Sequence, residues 1–317
     1  MKLLQIPFLS EIEKADNILL AGAGGGFDIF CGLPLYFALR KAGKKVYLAN
    51  LSFSNIYGST GVKLLDPVLV EVTSQTQGRL DYFPEVYLAR WFKEFQGEDV
   101  PIYCLARVGV QPLIKAYQKL IDYLSLDAII LIDGGTDSLM KGDEADLGSP
   151  DEDIASIAAV SQLNVPYKAL VCLGFGIEKI SHAQVLEAIS EITQAGGFLG
   201  AWTLTKNMSE VELYREATEY VFKAMPQFPS IISSSVFSAL DGHFGDYHSN
   251  HRTHGSNNFI NALMTIYWCF DLDIVAKRIL YLDKVMKTQN FRDMTVIISE
   301  FRESIEDQIK SWSDIPI

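Results

Sequence analysis

Residues 17–53 read NILLAGAGGGFDIFCGLPLYFALRKAGKKVYLANLSF. Ile18-Leu19-Leu20-Ala21 is a short apolar run suited to a strand buried on both faces, and Gly22-Ala23-Gly24-Gly25-Gly26 breaks it. From Asp28 the apolar residues take helical spacing to about Lys41, with Gly43 placed as a C-cap. Val46-Tyr47-Leu48-Ala49 then returns as a second strand. Strand, glycine turn, helix and strand in that order bury both sheet faces only as a right-handed parallel crossover. We therefore expect an α/β fold with a doubly wound, mostly parallel Rossmann-like sheet.

The glycines at that turn have two physical uses. A chain passing at once from a buried strand into a helix needs backbone angles that a Cβ forbids, and only a bare backbone lets a ligand come close. Amides at a helix start favour an anion or a polar ligand oxygen, so Gly22, Gly24, Gly25 and Gly26 read as ligand-binding positions. The turn departs from a dinucleotide fingerprint, because its sixth position is Phe27 and the second strand ends in Asn50 rather than an acid for the ribose hydroxyls. No Lys-Ser or Lys-Thr pair follows, which excludes the phosphate-cradling loop of ATPases. Asp28 would repel a phosphate; it suits a ribose or sugar hydroxyl, an amine or a metal.

The same alternation runs on through residue 225. Strands are expected at Pro101–Leu105, Asp127–Asp133, Tyr167–Leu173 and Phe198–Leu204, with helices between them. Residues 52–78 are polar and irregular, a loop or a lid. Arg107 follows a strand and so falls at the carboxyl end, the ligand edge of open α/β sheets. Asp133-Gly134-Gly135-Thr136-Asp137-Ser138 ends the most strand-like run and makes a second polar turn facing the first across the switch point. Asp133 or Asp137 would serve there as general base, metal ligand or hydroxyl-binding carboxylate, with Gly134, Gly135 and Thr136 as further ligand contacts. A carboxylate so near a buried strand end is costly unless paired or functional, which makes Asp28 and Asp133 the first catalytic candidates. Ser149-Pro150-Asp151-Glu152 reads as a helix start with Ser149 as N-cap, so Asp151, Glu152 and Asp153 are taken as structural.

Beyond Pro229 the pattern changes. Four of the five histidines, His243, His248, His251 and His254, fall within twelve positions. Neutral imidazoles beside Asp246 suit acid–base chemistry near neutral pH or a transition metal. His243 and His248 are therefore further catalytic candidates, and His243, His248 and His251 are the candidate metal ligands. Asp246 and Arg252 read as ligand contacts, the guanidinium as a clamp for a carboxylate or phosphate. Asn257–Phe270 and Asp271–Lys287 read as helices, and Met294–Ile298 as a short strand or the start of a last helix reaching about Trp312. Residues 1–228 thus form the Rossmann-like core, and 229–317 a His-rich loop and a helical C-terminal elaboration packed on the same domain.

Composition narrows the partners. A net charge of −12 over 317 residues argues against a nucleic-acid surface and against anionic membranes. No apolar run approaches the roughly 18 residues of a membrane span. With no signal-peptide pattern at the start, a cytoplasmic protein is expected. Cys31, Cys104, Cys172 and Cys269 lie far apart within apolar stretches and read as buried, reduced thiols.

Three segments carry a resemblance. Gly22-Ala23-Gly24-Gly25-Gly26-Phe27-Asp28, Asp133 to Ser138 with Gly142-Asp143-Glu144, and Phe244-Gly245-Asp246 to Arg252-Thr253 together resemble the domain-of-unknown-function family 1152. That resemblance implies a Rossmann-like fold and brings no reaction with it. Gly22-Ala23-Gly24 ahead of Gly32-Leu33-Pro34 is also similar to sirtuin-type NAD-binding folds, without their Asn-Asp pair or catalytic histidine context.

The expectation is a small-molecule enzyme, a hydrolase or group transferase, acting on a polar metabolite that carries a nucleotide or ribose. A nucleotide or a divalent metal is the cofactor these residues admit, and a homo-oligomer joined by aromatic C-terminal helices suits the composition. The competing classes are a non-catalytic metabolite-binding or assembly protein and a metal-dependent hydrolase using the His243–His254 loop.

Overall fold

The computed structural model describes residues 5–177 and 180–311. Its strands are β1 (Asn17–Gly22), β2 (Lys45–Ser52), β3 (Lys63–Asp66), β4 (Leu69–Val72), β5 (Ile102–Ala106), β6 (Ala128–Asp133), β7 (Tyr167–Cys172), β8 (Phe198–Thr203), β9 (Gly245–Asp246), β10 (Phe259–Ile260) and β11 (Ile266–Asp271). Nine of them form one sheet in the order β3-β4-β5-β2-β1-β6-β7-β11-β8, and β9 and β10 pair separately. The centre, β5-β2-β1-β6-β7, is parallel throughout. From β1 the chain steps to β2 and β5 on one side and to β6 and β7 on the other, so the turns after β1 and β6 are neighbours at the carboxyl edge.

Successive strand residues point to opposite faces, and here both faces are covered. Ile18 and Leu20 of β1 join a core with Phe8, Phe30, Leu33 and Trp91, whereas Leu19 and Ala21 join a second core with Leu113, Ile154 and Val185. The first core is roofed by α1 (Pro7–Ile12), α2 (Asp28–Cys31), α3 (Leu33–Lys41), α4 (Pro84–Trp91), α8 (Ser209–Ala224) and α9 (Ile231–Leu240). The second lies under α5 (Val110–Leu124), α6 (Asp151–Ser161), α7 (His182–Gln194), α10 (Leu272–Arg278), α11 (Leu282–Val285) and α12 (Phe291–Ser304). All four cysteines are buried and free. Among the described residues no helix is long and apolar enough to cross a membrane.

The sheet is mixed rather than mostly parallel. Its outer pairs β3·β4, β4·β5, β7·β11 and β11·β8 are antiparallel. Two departures from the sequence reading produce this. Within 52–78, β3 and β4 form a hairpin on the edge of β5, and a connection that short joins only antiparallel strands. In the C-terminal segment, 257–270 is no helix: β10, a short 3-10 turn and then β11 occupy it, and β11 inserts between β7 and β8. Tyr267 and Cys269 face the first core while Phe270 faces the second, and a strand buried on both sides shows a continuous apolar run that periodicity alone does not separate from a helix. The expected helix 28–41 is two helices meeting at Gly32, where a Cβ would stand 3.0 Å from Ile132 Cγ1. The last helix ends at Ser304; Trp312, its expected end, lies outside the described residues.

Candidate functional site

The turns after β1 and β6 are joined by one side chain. Asp28 opens α2, and its Oδ2 accepts from the Gly24 amide at 2.7 Å while its Oδ1 accepts from the Gly134 amide at 3.2 Å. The Gly24 amide, expected to receive a ligand anion, and the Gly134 amide, at an expected ligand contact, are therefore occupied by the chain's own carboxylate. Gly25 and Gly26 take positive φ, 92° and 60°, where L side chains are strained. A crevice of about 1030 Å³ opens over these turns. Gly24, Gly25, Gly26, Asp28, Asp133, Gly134 and Asp137 form its floor, the first turn of α6 one wall, and Ser230–Ile232 with Arg252 and Thr253 the other.

Acids dominate the floor. Asp133 ends β6 with 2% of its surface exposed, and Ser138 Oγ donates to its Oδ2. Asp137 Oδ2 accepts from the Ser149 amide at 3.0 Å. Asp153, in the first turn of α6, is 4% exposed, and its Oδ1 has no hydrogen-bond partner. One carboxylate oxygen each from Asp28, Asp133 and Asp153 lie within 4.8 Å of one another. Burial disfavours the charged form and the neighbouring Asp137 carboxylate adds repulsion, so the Asp28 carboxyl is pushed up to about 8. The same two causes, in that order, hold Asp133 and Asp153 well above the usual carboxylate range. Among the described residues no lysine, arginine or histidine forms an ion pair with any of these three.

Asp153 is the member that the sequence reading passed over as a helix-start acid. The N-cap of α6 is Pro150 with no side-chain cap, and the Ser149 amide goes to Asp137. A usable signal was present: Asp153 shares a helix face with Ile157 and Val160, at i+4 and i+7, which places an acid on the buried stripe. Ser156, one turn on, donates to the Ala23 carbonyl at 2.7 Å and ties α6 to the glycine turn.

The other expected positions divide. Arg107 reaches the crevice with its Nη2 2.7 Å from Glu152 Oε1 and its guanidinium 3.7 Å from the Phe291 ring centroid. Arg252 also lines it, donating to the Pro229 carbonyl at 3.0 Å. Gly22 and Gly135 sit behind the lining; a Cβ on Gly22 would stand 2.0 Å from Asn50 Oδ1. Thr136 Oγ1 accepts from the Gly176 amide at 3.2 Å, a contact between turns.

The histidines stand off the crevice. His243 stacks on Tyr247 at 3.8 Å, and His248 lies 2.9 Å from Thr253 Oγ1 through Nδ1 and 3.2 Å from Asp246 through Nε2. Asp246 accepts from the Asn258 amide at 2.9 Å. His251 opens a 3-10 turn at His251–Thr253 and is exposed. Among the described residues, His243, His248 and His251 do not come together at metal-ligand spacing; the group that does is carboxylate. His248 thus touches the crevice lining only through Thr253.

Residues 60–304 match the family model described as Protein of unknown function (DUF1152). The matched span includes the Asp133–Ser138 and Phe244–Thr253 segments and begins after the glycine turn. Comparison with curated proteins and with solved structures gives no match. None of these comparisons points to a sirtuin-type fold, and Gly32-Leu33-Pro34 is simply the junction of α2 and α3. With more than three quarters of its length matched, the chain belongs to the DUF1152 family.

Proposed function

We propose that this chain is a small-molecule enzyme, a hydrolase or group transferase, whose polar substrate, carrying ribose or a nucleotide, binds in the crevice at the carboxyl edge of a Rossmann-like, doubly wound sheet. The observation that carries the reading is the convergence of Asp28, Asp133 and Asp153 on the floor of one crevice with Arg107 and Arg252 at its sides. Carboxylates at a strand end and at two helix starts suit substrate hydroxyls or an attacking water, and the guanidiniums suit the anionic part of the same molecule. Phe27, Phe53, Tyr82 and Phe228 add apolar surface for a ring, the mixture typical of small-molecule sites. Group transfer fits better than hydride transfer, because the Gly24 amide of the turn that would cradle a dinucleotide pyrophosphate is bonded to Asp28.

The test is a metabolite library read by melting temperature, followed by product analysis for every compound that raises it. A ribose- or nucleotide-bearing compound that binds and is converted, with conversion lost in Asp133→Asn, is the expected result. Binding without conversion would replace this reading with a metabolite-binding protein, and no binding at all would overturn it.

A further inference from the structure

The carboxylate group on the crevice floor is built for something that the protein side chains do not supply. Asp28, Asp133 and Asp153 come from three elements, the start of α2, the end of β6 and the first turn of α6, and their oxygens lie within 4.8 Å of one another. A divalent cation bound at 2.0–2.6 Å to each oxygen holds its ligands about 3–5 Å apart. The separation therefore fits one ion.

Two further observations point to a ligand rather than to a chance acidic patch. Asp153 is 4% exposed and carries an Oδ1 with no partner, an uncompensated buried acceptor of the kind that native structures rarely leave unused. The partners of the other two orient them without neutralising them: two backbone amides on Asp28 and the Ser138 hydroxyl on Asp133. Metal-binding carboxylates are held in this way by neighbours that fix their direction. A glycine at 24 leaves the room, since a Cβ there would meet Asp153 Oδ2 at 2.4 Å.

We infer that Asp28, Asp133 and Asp153 bind one hard divalent cation of the magnesium, manganese and calcium class on the crevice floor. The ligand set is all oxygen, which selects against zinc and copper sites built from thiolate and imidazole. Three charged carboxylates against one divalent ion leave a single negative charge, and the remaining positions on the ion are open to water and to substrate oxygens. The inference rests on reading this crevice as the ligand site, and it puts the ion in the crevice that Arg107 and Arg252 also line, where it would bridge the anionic part of a substrate to the floor.

The test uses untagged full-length protein, stripped with a chelator, and equilibrium dialysis against manganese, magnesium and calcium with no substrate present. One equivalent of cation per chain is expected, with affinity falling by at least roughly 10-fold in Asp153→Asn and in Asp28→Asn, since losing a ligand costs no less than losing a group that orients one. Asp81→Asn, at an exposed surface pair with Arg79, should bind as the parent does. No uptake by the parent, or equal uptake by Asp153→Asn, overturns the inference; circular dichroism on each variant confirms that it is folded, and Asp153→Asn alone decides if Asp28→Asn is not. Cation uptake without any metabolite conversion would leave the ion site standing and remove the enzyme reading. Metabolite conversion by a parent protein that takes up no cation would do the reverse.

Discussion

Gly24 and Asp153 are in contact: a Cβ on the glycine would stand 2.4 Å from one carboxylate oxygen and 2.9 Å from the other. The third position of the glycine turn is thus small because a side chain from α6 occupies the space, and not because a phosphate does.

Gly24→Ala should therefore cost about 1–3 kcal/mol of stability through overpacking. In an Asp153→Ala background the same change should cost less, with a coupling energy of about 0.5–3 kcal/mol. Urea denaturation of the four proteins of the cycle measures it, and equal costs in both backgrounds would show that the contact is not the reason for the glycine.

Asp153→Asn should raise the stability of the cation-free protein by about 0.5–2 kcal/mol, because it removes a buried, repelled carboxyl. The melting temperature in chelator should rise while cation uptake falls. A drop in both would mean that the Asp153 carboxylate has a structural partner.

Glu85 is fully buried, and its Oε1 accepts from Asn50 Nδ2 at 2.9 Å. Burial holds its carboxyl above the ordinary 4.5. The native state then keeps a proton that the unfolded chain releases, so Glu85 costs stability as pH rises above 4.5 towards its native value. Glu85→Gln should flatten that part of the stability–pH curve, and the parent and variant should differ least below pH 4.5. Parallel curves from chemical denaturation across this range would contradict it.

The four cysteine thiols should be inert in the native protein. Burial pushes the Cys31, Cys104, Cys172 and Cys269 thiols up, so little thiolate is available to a reagent that also cannot reach them. A chromogenic thiol reagent at pH 8 should label all four in denaturant and none without it, and fast labelling of any native cysteine would mean local opening around that residue.

Arg107→Ala should cost about 1 kcal/mol of stability, since the guanidinium is half exposed and screened by water while its partner Glu152 is buried. Binding of any metabolite found by thermal shift should weaken far more than stability does. Equal effects on both would make Arg107 a strut for α12 through Phe291 rather than a ligand contact.

Much of the centre was legible in the chain. Asn17–Gly22, Lys45–Ser52, Ile102–Ala106 and Ala128–Asp133 all fall where short apolar runs end in polar turns, and that local rule needs no knowledge of neighbours. Asp28 and Asp133 stood out for the same reason, as acids at the ends of buried elements, and both lie on the crevice floor. The histidine loop was legible only as composition: His243, His248 and His251 cluster in sequence, while in the fold they lie apart, His243 on Tyr247, His248 at Thr253 and His251 on an exposed turn.

Sequence by itself determined the alternating α/β pattern, the carboxyl edge as the place of the polar turns, and two of the three converging acids. These follow from periodicity and from the cost of leaving charge near a buried strand, both of them local. Tertiary structure alone decided that Ile266–Asp271 is a strand between β7 and β8, because an apolar run buried on both faces carries no period to read. It alone brought Asp153 against Gly24 and the Gly134 amide onto Asp28, because contacts between residues far apart in the chain are set by how the layers pack.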